Sequence, residues 1–111
     1  MSSFGTRCQM WSTIVYACYS FHVVVFGTHR PIGRTCAACA TQNGWNVSRV
    51  VPGSNLRAIL DTDMDMIVVD GTCVTSRGVA MLRNEHGERV RVVHTRDEAR
   101  CLMRDLKYEF N

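Results

Sequence analysis

Two glycine-containing segments carry the side chains of this sequence that are best suited to bind a ligand. The first, residues 27–35, contains two glycines, two arginines and a histidine directly after an apolar run. The second, residues 70–78, follows another apolar run and combines an aspartate, small hydroxyl residues and an arginine. Glycines let a backbone approach a ligand, and a helix that starts in such a segment offers free N–H groups to an anion. We therefore predict a phosphate or ribose site that both segments share.

The predicted site divides into a part that holds phosphate and a part that holds ribose or base. The residues predicted to hold phosphate are Gly27, Thr28, Arg30, Gly33 and Arg34. Those predicted to fix the ribose or base are His29, Asp70, Thr72, Ser76 and Arg77, with Gly71, Thr75 and Gly78 completing the second segment. The alternative is structural: the first segment is an ordinary strand-to-helix turn, and Thr75 or Ser76 only caps a helix.

Other chemistry is less well supported by the residue spacing. The first segment is not a P-loop, because it has one residue too many between its glycines and Arg34 where the motif requires lysine. Cys36 and Cys39 have the spacing of a redox or zinc pair, but no second Cys or His pair completes a tetrad, so helical packing is favoured. The acidic residues at 61–65 could hold a divalent cation, and a solvated turn is preferred. No catalytic residue, metal or cofactor is predicted.

The elements that must position the two segments follow from the pattern of apolar residues. Apolar runs predict strands at 21–26, 46–51, 66–69 and 90–93, each closed by glycine, proline or a polar residue. Helices are predicted over 34–43, over 54–60 with Ser54 as cap, over 76–85, and from a capping box at 95–98 to residue 110. This alternation predicts a small Rossmann-like, doubly wound, mainly parallel sheet of four or five strands with helices on both faces, which binds ligands at the carboxyl ends of the strands.

Length and composition indicate one domain. The chain has 111 residues, 46% of them hydrophobic, and a net charge of +3, which is too small to indicate nucleic acid or an anionic membrane as a partner. Residues 21–111 form the predicted core and residues 1–20 an N-terminal extension. Polar residues interrupt the apolar stretch at 10–26, so no membrane-spanning helix is predicted, and a signal peptide is the disfavoured alternative.

The extension carries apolar side chains that the sheet does not obviously use, so we predict a homodimer or higher homo-oligomer. The residues predicted at or near its interface are Trp11, Ile14, Val15 and Tyr16. The six cysteines lie in apolar or helical stretches, which favours reduced thiols and a cytoplasmic location, in the cytoplasm of a bacterial host if the protein is viral.

The order of parts in residues 65–93 resembles the closing half of the SLOG superfamily of Rossmann-like nucleotide-ligand-binding domains. The segment has a strand ending in Asp70, a loop containing Gly71, a helix, Gly87 and a valine-rich strand. Residues 27–30 are also similar to the first nucleotide-contacting loop of that family. The double glycine and catalytic glutamate of its phosphoribohydrolases are missing, so the resemblance implies binding of a nucleotide-derived ligand and puts hydrolysis in doubt.

The leading functional expectation is a binding protein for a small phosphorylated nucleotide-derived molecule. A bare domain of this kind would suit sequestration of an immune signal by a phage anti-defence protein. A second hypothesis is a nucleotide-processing hydrolase of N-glycosidic or phosphoester bonds, with Asp70 or Asp63 as acid or base and His29 as proton donor. A third is a protein-interaction inhibitor of a host enzyme.

Overall fold

The computed structural model describes residues 21–110, which form a four-stranded, all-parallel β-sheet with helices on both faces. The strands are β1 (His22–Phe26), β2 (Asn46–Val50), β3 (Met66–Asp70) and β4 (Val90–Val93). The helices are α1 (Pro31–Gln42), α2 (Leu56–Leu60), α3 (Ser76–His86) and α4 (Arg96–Phe110), and a 3₁₀ turn, Gly87–Arg89, follows α3. This architecture confirms the predicted α/β class and a doubly wound, Rossmann-like arrangement.

The order of the strands across the sheet is β2-β1-β3-β4. β1 pairs in register with β2 on one side, Val23 opposite Val47, and with β3 on the other, Val23 opposite Met66. The chain therefore leaves β1 toward one edge and leaves β3 toward the other. The order reverses between β1 and β3, and in open sheets of this kind a crevice forms at that point, beyond the carboxyl ends of the strands.

Alternate residues of the central strands point into two separate apolar layers, as expected for strands covered on both faces. Val23 and Val25 pack in the layer built by α1 and α4, and these two helices also contact each other. Val24 and Phe26 pack in the layer built by α2 and α3. Every residue of β3 is buried. The two layers fix the central strands rigidly, so the loops that follow them are held in place.

Two helix starts differ from the sequence prediction. The helix predicted at 34–43 begins earlier, at Pro31, because proline has the φ of a first-turn residue and its missing N–H is not needed there. Asn55, and not Ser54, caps α2: its Oδ1 accepts from Ala58 N, whereas Ser54 Oγ accepts from Val51 N in the preceding turn. In the predicted capping box of α4, Glu98 N donates to Thr95 Oγ1 as expected, whereas Glu98 Oε1 accepts from His94 N, one residue before the cap.

The amino edge of the sheet is tied together by His22. Its Nδ1 donates to the carbonyl oxygen of Asp63, and its Nε2 lies 2.7 Å from Ser48 Oγ. Its backbone N–H donates to Asp65 Oδ2 at 2.8 Å. Because a carbonyl can only accept, the Nδ1 proton leaves Nε2 of the neutral ring free to accept from the serine hydroxyl. These bonds connect β1 to β2 and to the turn before β3.

The predicted interface residues Trp11, Ile14, Val15 and Tyr16 lie outside the described residues. Across residues 21–110, no helix is both long and apolar enough to cross a bilayer.

Candidate functional site

The loops after β1 and β3 meet at the point where the strand order reverses. We call residues 27–30 the β1 loop and residues 71–75 the β3 loop. Gly27, at the start of the β1 loop, has φ +93°, and a Cβ added to it would lie 2.9 Å from the Cβ of Asp70 at the end of β3. Glycine is therefore required there both for its backbone conformation and for the close approach of the two loops.

The β1 loop is a tight turn pressed against the start of α1. Arg30 N donates to the carbonyl oxygen of Gly27 at 2.9 Å. A Cβ added to Gly33, in the first turn of α1, would lie 2.1 Å from that same carbonyl oxygen. Gly33 therefore serves the packing of loop against helix. The turn predicted over 28–33 is shorter in the structure, because a four-residue turn at 27–30 is followed directly by α1.

Asp70 organises the β3 loop from a buried position, with 1% of its surface exposed. Its Oδ1 accepts from the backbone N–H of Thr72 at 2.8 Å and from the Thr72 hydroxyl at 2.6 Å. Its Oδ2 accepts from Cys73 Sγ at 3.4 Å. Three bonds within its own loop hold this carboxylate, so its evident role is to shape the loop. The predicted contact between Asp70 and a ribose hydroxyl stays a prediction.

On the α1 and α4 side of the loops lies a depression of about 480 Å³, which we call the arginine depression. It is lined by Arg30, Pro31, Ile32, Asp70, Thr72 and Arg96. Within the described chain, the guanidinium groups of Arg30 and Arg96 form no hydrogen bond or ion pair. The start of α1 has no side-chain cap and no acidic residue in its first turn. Two unpaired cations beside the positive end of a helix favour an anion at this place.

On the α2 and α3 side lies a larger space of about 600 Å³, which we call the apolar cavity. Four predicted site residues line it: Gly27, His29, Thr75 and Gly78. Most of its remaining wall is apolar and comes from the end of β2, from α2 and from α3. A volume of this size is typical of small-molecule sites.

The remaining predicted residues line neither space. Arg34 Nη1 donates to the carbonyl oxygen of His29 at 2.9 Å, which braces the β1 loop. Ser76 and Arg77 lie exposed at the start of α3. Gly71 packs against His94, whose Nε2 would lie 2.5 Å from an added Cβ.

Thr28 is buried, and its hydroxyl has no hydrogen-bond partner among the described residues. An unpaired buried hydroxyl costs about 1–3 kcal/mol, so it is an unusual feature of the β1 loop.

Sequence reasoning did not identify Arg96 or the cavity wall. Arg96 lies inside the predicted capping box at 95–98. Helix capping already explains the residue types of that segment, so nothing in it indicated a ligand site. The apolar wall residues come from three distant segments, and only the crossover connections bring them together. The signal in the sequence that could have found Arg96 is its position just after the end of the fourth predicted strand.

Two thiols of the described chain, Cys36 and Cys73, are poor nucleophiles. Burial, together with the nearby Cys39 and Asp70, raises the pKa of Cys36 to about 12. Partial burial, the hydrogen bond to the Asp70 carboxylate and its charge also raise the pKa of Cys73, which lines the apolar cavity. Cys36 packs in the core beside Ala40, as the helical reading of the cysteine pair predicts. Among residues 21–110 no group of three or more potential ligands is placed to hold a metal ion.

Comparisons with known protein families, with curated proteins and with solved structures found no match to this chain.

Proposed function

We propose that the protein binds a small phosphorylated, nucleotide-derived molecule at the carboxyl edge of its sheet. The observation that carries the proposal is the arginine depression. The guanidinium groups of Arg30 and Arg96 have no partner among residues 21–110, and the start of α1 beside them has neither a side-chain cap nor an acidic residue. A charge-assisted hydrogen bond from an arginine to a phosphate is worth about 1.5–3 kcal/mol. A phosphate would therefore satisfy groups that the described part of the chain leaves unpaired.

Binding without turnover is favoured over hydrolysis by the state of the candidate catalytic groups. Asp70 is buried and committed to its own loop, and the raised pKa of Cys73 keeps its thiol protonated near neutral pH. Asp63 precedes β3 at the amino edge, at the opposite end of the strands from His29. Asp63 is therefore not placed to work with His29 as an acid–base pair, and the Asp70 carboxylate is already held by three hydrogen bonds.

A protein that binds a nucleotide signal and leaves it intact lowers the free concentration of that signal. We propose sequestration of an immune signal in the cytoplasm of a bacterial host as the biological role, in the manner of a phage anti-defence protein. The order of parts that resembles the SLOG superfamily supports a nucleotide-derived ligand, since members of that superfamily bind such molecules.

The test is isothermal titration calorimetry of the full chain with a panel of nucleoside monophosphates, cyclic mononucleotides and cyclic dinucleotides. We expect at least one of them to bind at micromolar concentration. A folded sample, checked by circular dichroism, that binds none of them would contradict the proposal. Mass spectrometry of the ligand after the protein is denatured separates binding from catalysis: intact ligand is expected, and products would support the hydrolase.

Self-association is a separate part of the proposal. We propose a homodimer or higher homo-oligomer through the apolar residues of the N-terminal extension, because self-complementary apolar patches pair most often around a two-fold axis. Light scattering at tens of micromolar should give a particle larger than the 12.5 kDa chain. A particle of 12.5 kDa would contradict it.

A further inference from the structure

The apolar cavity collects most of the exposed apolar side chains of the described chain. Five large apolar residues of this part of the chain are exposed, and three of them, Val51, Leu56 and Met81, line this one space. Their exposed fractions are 39%, 44% and 63%. Apolar groups exposed together in a concave surface mark a place that a ligand covers.

The charges around the two spaces differ. Among residues 21–110, the ionisable side chains on the wall of the apolar cavity besides Cys73 are His29 and Glu85. The guanidinium groups of Arg30 and Arg96 lie instead in the arginine depression. An anionic group would therefore bind in the depression and would be disfavoured beside the carboxylate of Glu85. The part of a ligand that enters the cavity is expected to be uncharged.

One narrow ridge separates the two spaces. Gly27 lines the cavity and Asp70 lines the depression, and these two residues are in direct contact across the ridge. A molecule of nucleotide size that places an anionic group beside Arg30 can therefore extend across Gly27 into the cavity. The absence of a Cβ at residue 27 lets its backbone lie against Asp70, so the two spaces are separated by these two residues alone.

We propose that the apolar cavity holds the base of the same nucleotide whose phosphate binds in the arginine depression. This inference rests on the proposed function and adds to it which space holds the base and which holds the phosphate. The cavity also offers hydrogen bonds suited to the edge of a base. Ser54 Oγ and Thr75 Oγ1 accept from backbone N–H groups at 3.0 and 3.1 Å, which leaves each hydroxyl proton free to be donated. Glu85 can accept from an exocyclic amino group. A hydrocarbon chain would use none of these groups.

The experiment compares ligands that lack one part of a nucleotide. The full chain is titrated calorimetrically with the four common ribonucleoside monophosphates, with ribose 5-phosphate, with the corresponding nucleosides and with an alkyl phosphate. At least one monophosphate should bind about tenfold or more tightly than ribose 5-phosphate, because apolar area on the base is removed from water in the cavity.

Two variants test whether this difference in affinity arises in the apolar cavity. Met81→Ser should remove most of the advantage of the monophosphate over ribose 5-phosphate and leave the affinity for ribose 5-phosphate unchanged. The matched control is Tyr108→Ser, a similarly exposed apolar residue on α4 that lines neither space. It should change neither affinity. Both side chains are largely exposed, so both variants should fold, and thermal melts check this.

The outcomes separate this inference from the function on which it rests. Equal affinities for the monophosphates and ribose 5-phosphate would overturn the base site and leave phosphate binding intact. An alkyl phosphate that binds as tightly as the best monophosphate would also overturn it. Nucleosides that bind as well as their monophosphates would overturn the phosphate site and support the cavity. If none of these compounds binds, the function and the inference fail together.

Discussion

Replacing Gly33 by alanine sets two opposite effects against each other at the candidate site. Alanine stabilises a helix interior by about 1 kcal/mol relative to glycine, so helix propensity alone predicts a more stable protein. The added Cβ, however, would lie 2.1 Å from the carbonyl oxygen of Gly27, 2.3 Å from its carbonyl carbon and 2.8 Å from Thr28 N. Ordinary contacts at a Cβ are 3.4–4 Å. The obstacle is the backbone of a hydrogen-bonded turn, which cannot rotate away as a side chain can.

The relative size of these two effects decides whether Gly33→Ala raises or lowers the stability. Overpacking costs about 1–3 kcal/mol, and a backbone obstacle places this variant near the upper value. After the gain in helix propensity, we expect Gly33→Ala to lower the free energy of unfolding by about 2 kcal/mol, or the Tm by about 10 °C. Nucleotide affinity should fall as well, because the β1 loop must shift.

Urea titration and thermal melts measure this effect, with Gly78→Ala in α3 as the matched control. There the nearest atom to the added Cβ is Val74 Cγ1 at 2.9 Å, and that methyl group lies at the end of a side chain that can adjust. We expect Gly78→Ala to stay within about 1 kcal/mol of the wild type. A Gly33→Ala variant as stable as the wild type would refute the close contact between the β1 loop and α1.

Three further predictions test the site and the core. Arg30→Ala and Arg96→Ala should each weaken binding of the nucleotide identified by titration about ten- to a hundredfold, whereas Arg77→Ala, outside both spaces, should not; equal losses in all three would contradict the depression as the phosphate site. Thr28→Val should stabilise the ligand-free protein by about 1 kcal/mol in thermal melts, since it removes an unpaired buried hydroxyl; a loss of stability would mean that the hydroxyl has a partner. Because the pKa of Cys36 is about 12 in the folded protein against 9.0 for a free thiol, its contribution to stability is complete below pH 9 and is lost as pH rises toward 12. Cys36→Ala should therefore make the fall in Tm between about pH 8 and about pH 10.5 smaller than in the wild type. An equal fall in both proteins would show that Cys36 does not cause the loss of stability at high pH.

Much of the fold could be predicted from the sequence, because buried parallel strands leave a strong local pattern. β4 has the predicted bounds, and β1 and β3 differ from prediction by one residue at one end. The start of α1 was missed because Pro31 and Gly33 both suggest a turn when read locally. In the structure the first is a favourable helix start and the second is required by tertiary contact.

The sequence could predict at which edge of the sheet the candidate site lies, but not which residues line it. The strand ends that would meet follow from the topology, and Gly27, Arg30 and Thr72 are indeed brought to one edge. Which arginines stay unpaired depends on tertiary contacts: Arg34 bonds to the His29 carbonyl oxygen, and Arg96 arrives from the last helix. The division into an arginine-lined side and an apolar side could not be read from the sequence, since it depends on which face of the sheet each helix covers.

The strand order described above also constrains when during folding the site comes into existence. β1 pairs with β2, and β3 with β4, across a single crossover each. The central pair, in which Val23 lies opposite Met66, closes a much longer loop that contains α1, β2 and α2. A pairing that closes a longer loop loses more chain entropy before its contacts form. The β1–β2 unit and the β3–β4 unit are therefore expected to form before they pair with each other. The ridge of Gly27 and Asp70 lies across that last junction. The proposed site would thus form only at the final docking step, and a ligand bound on both sides of the ridge would slow the separation of the two halves.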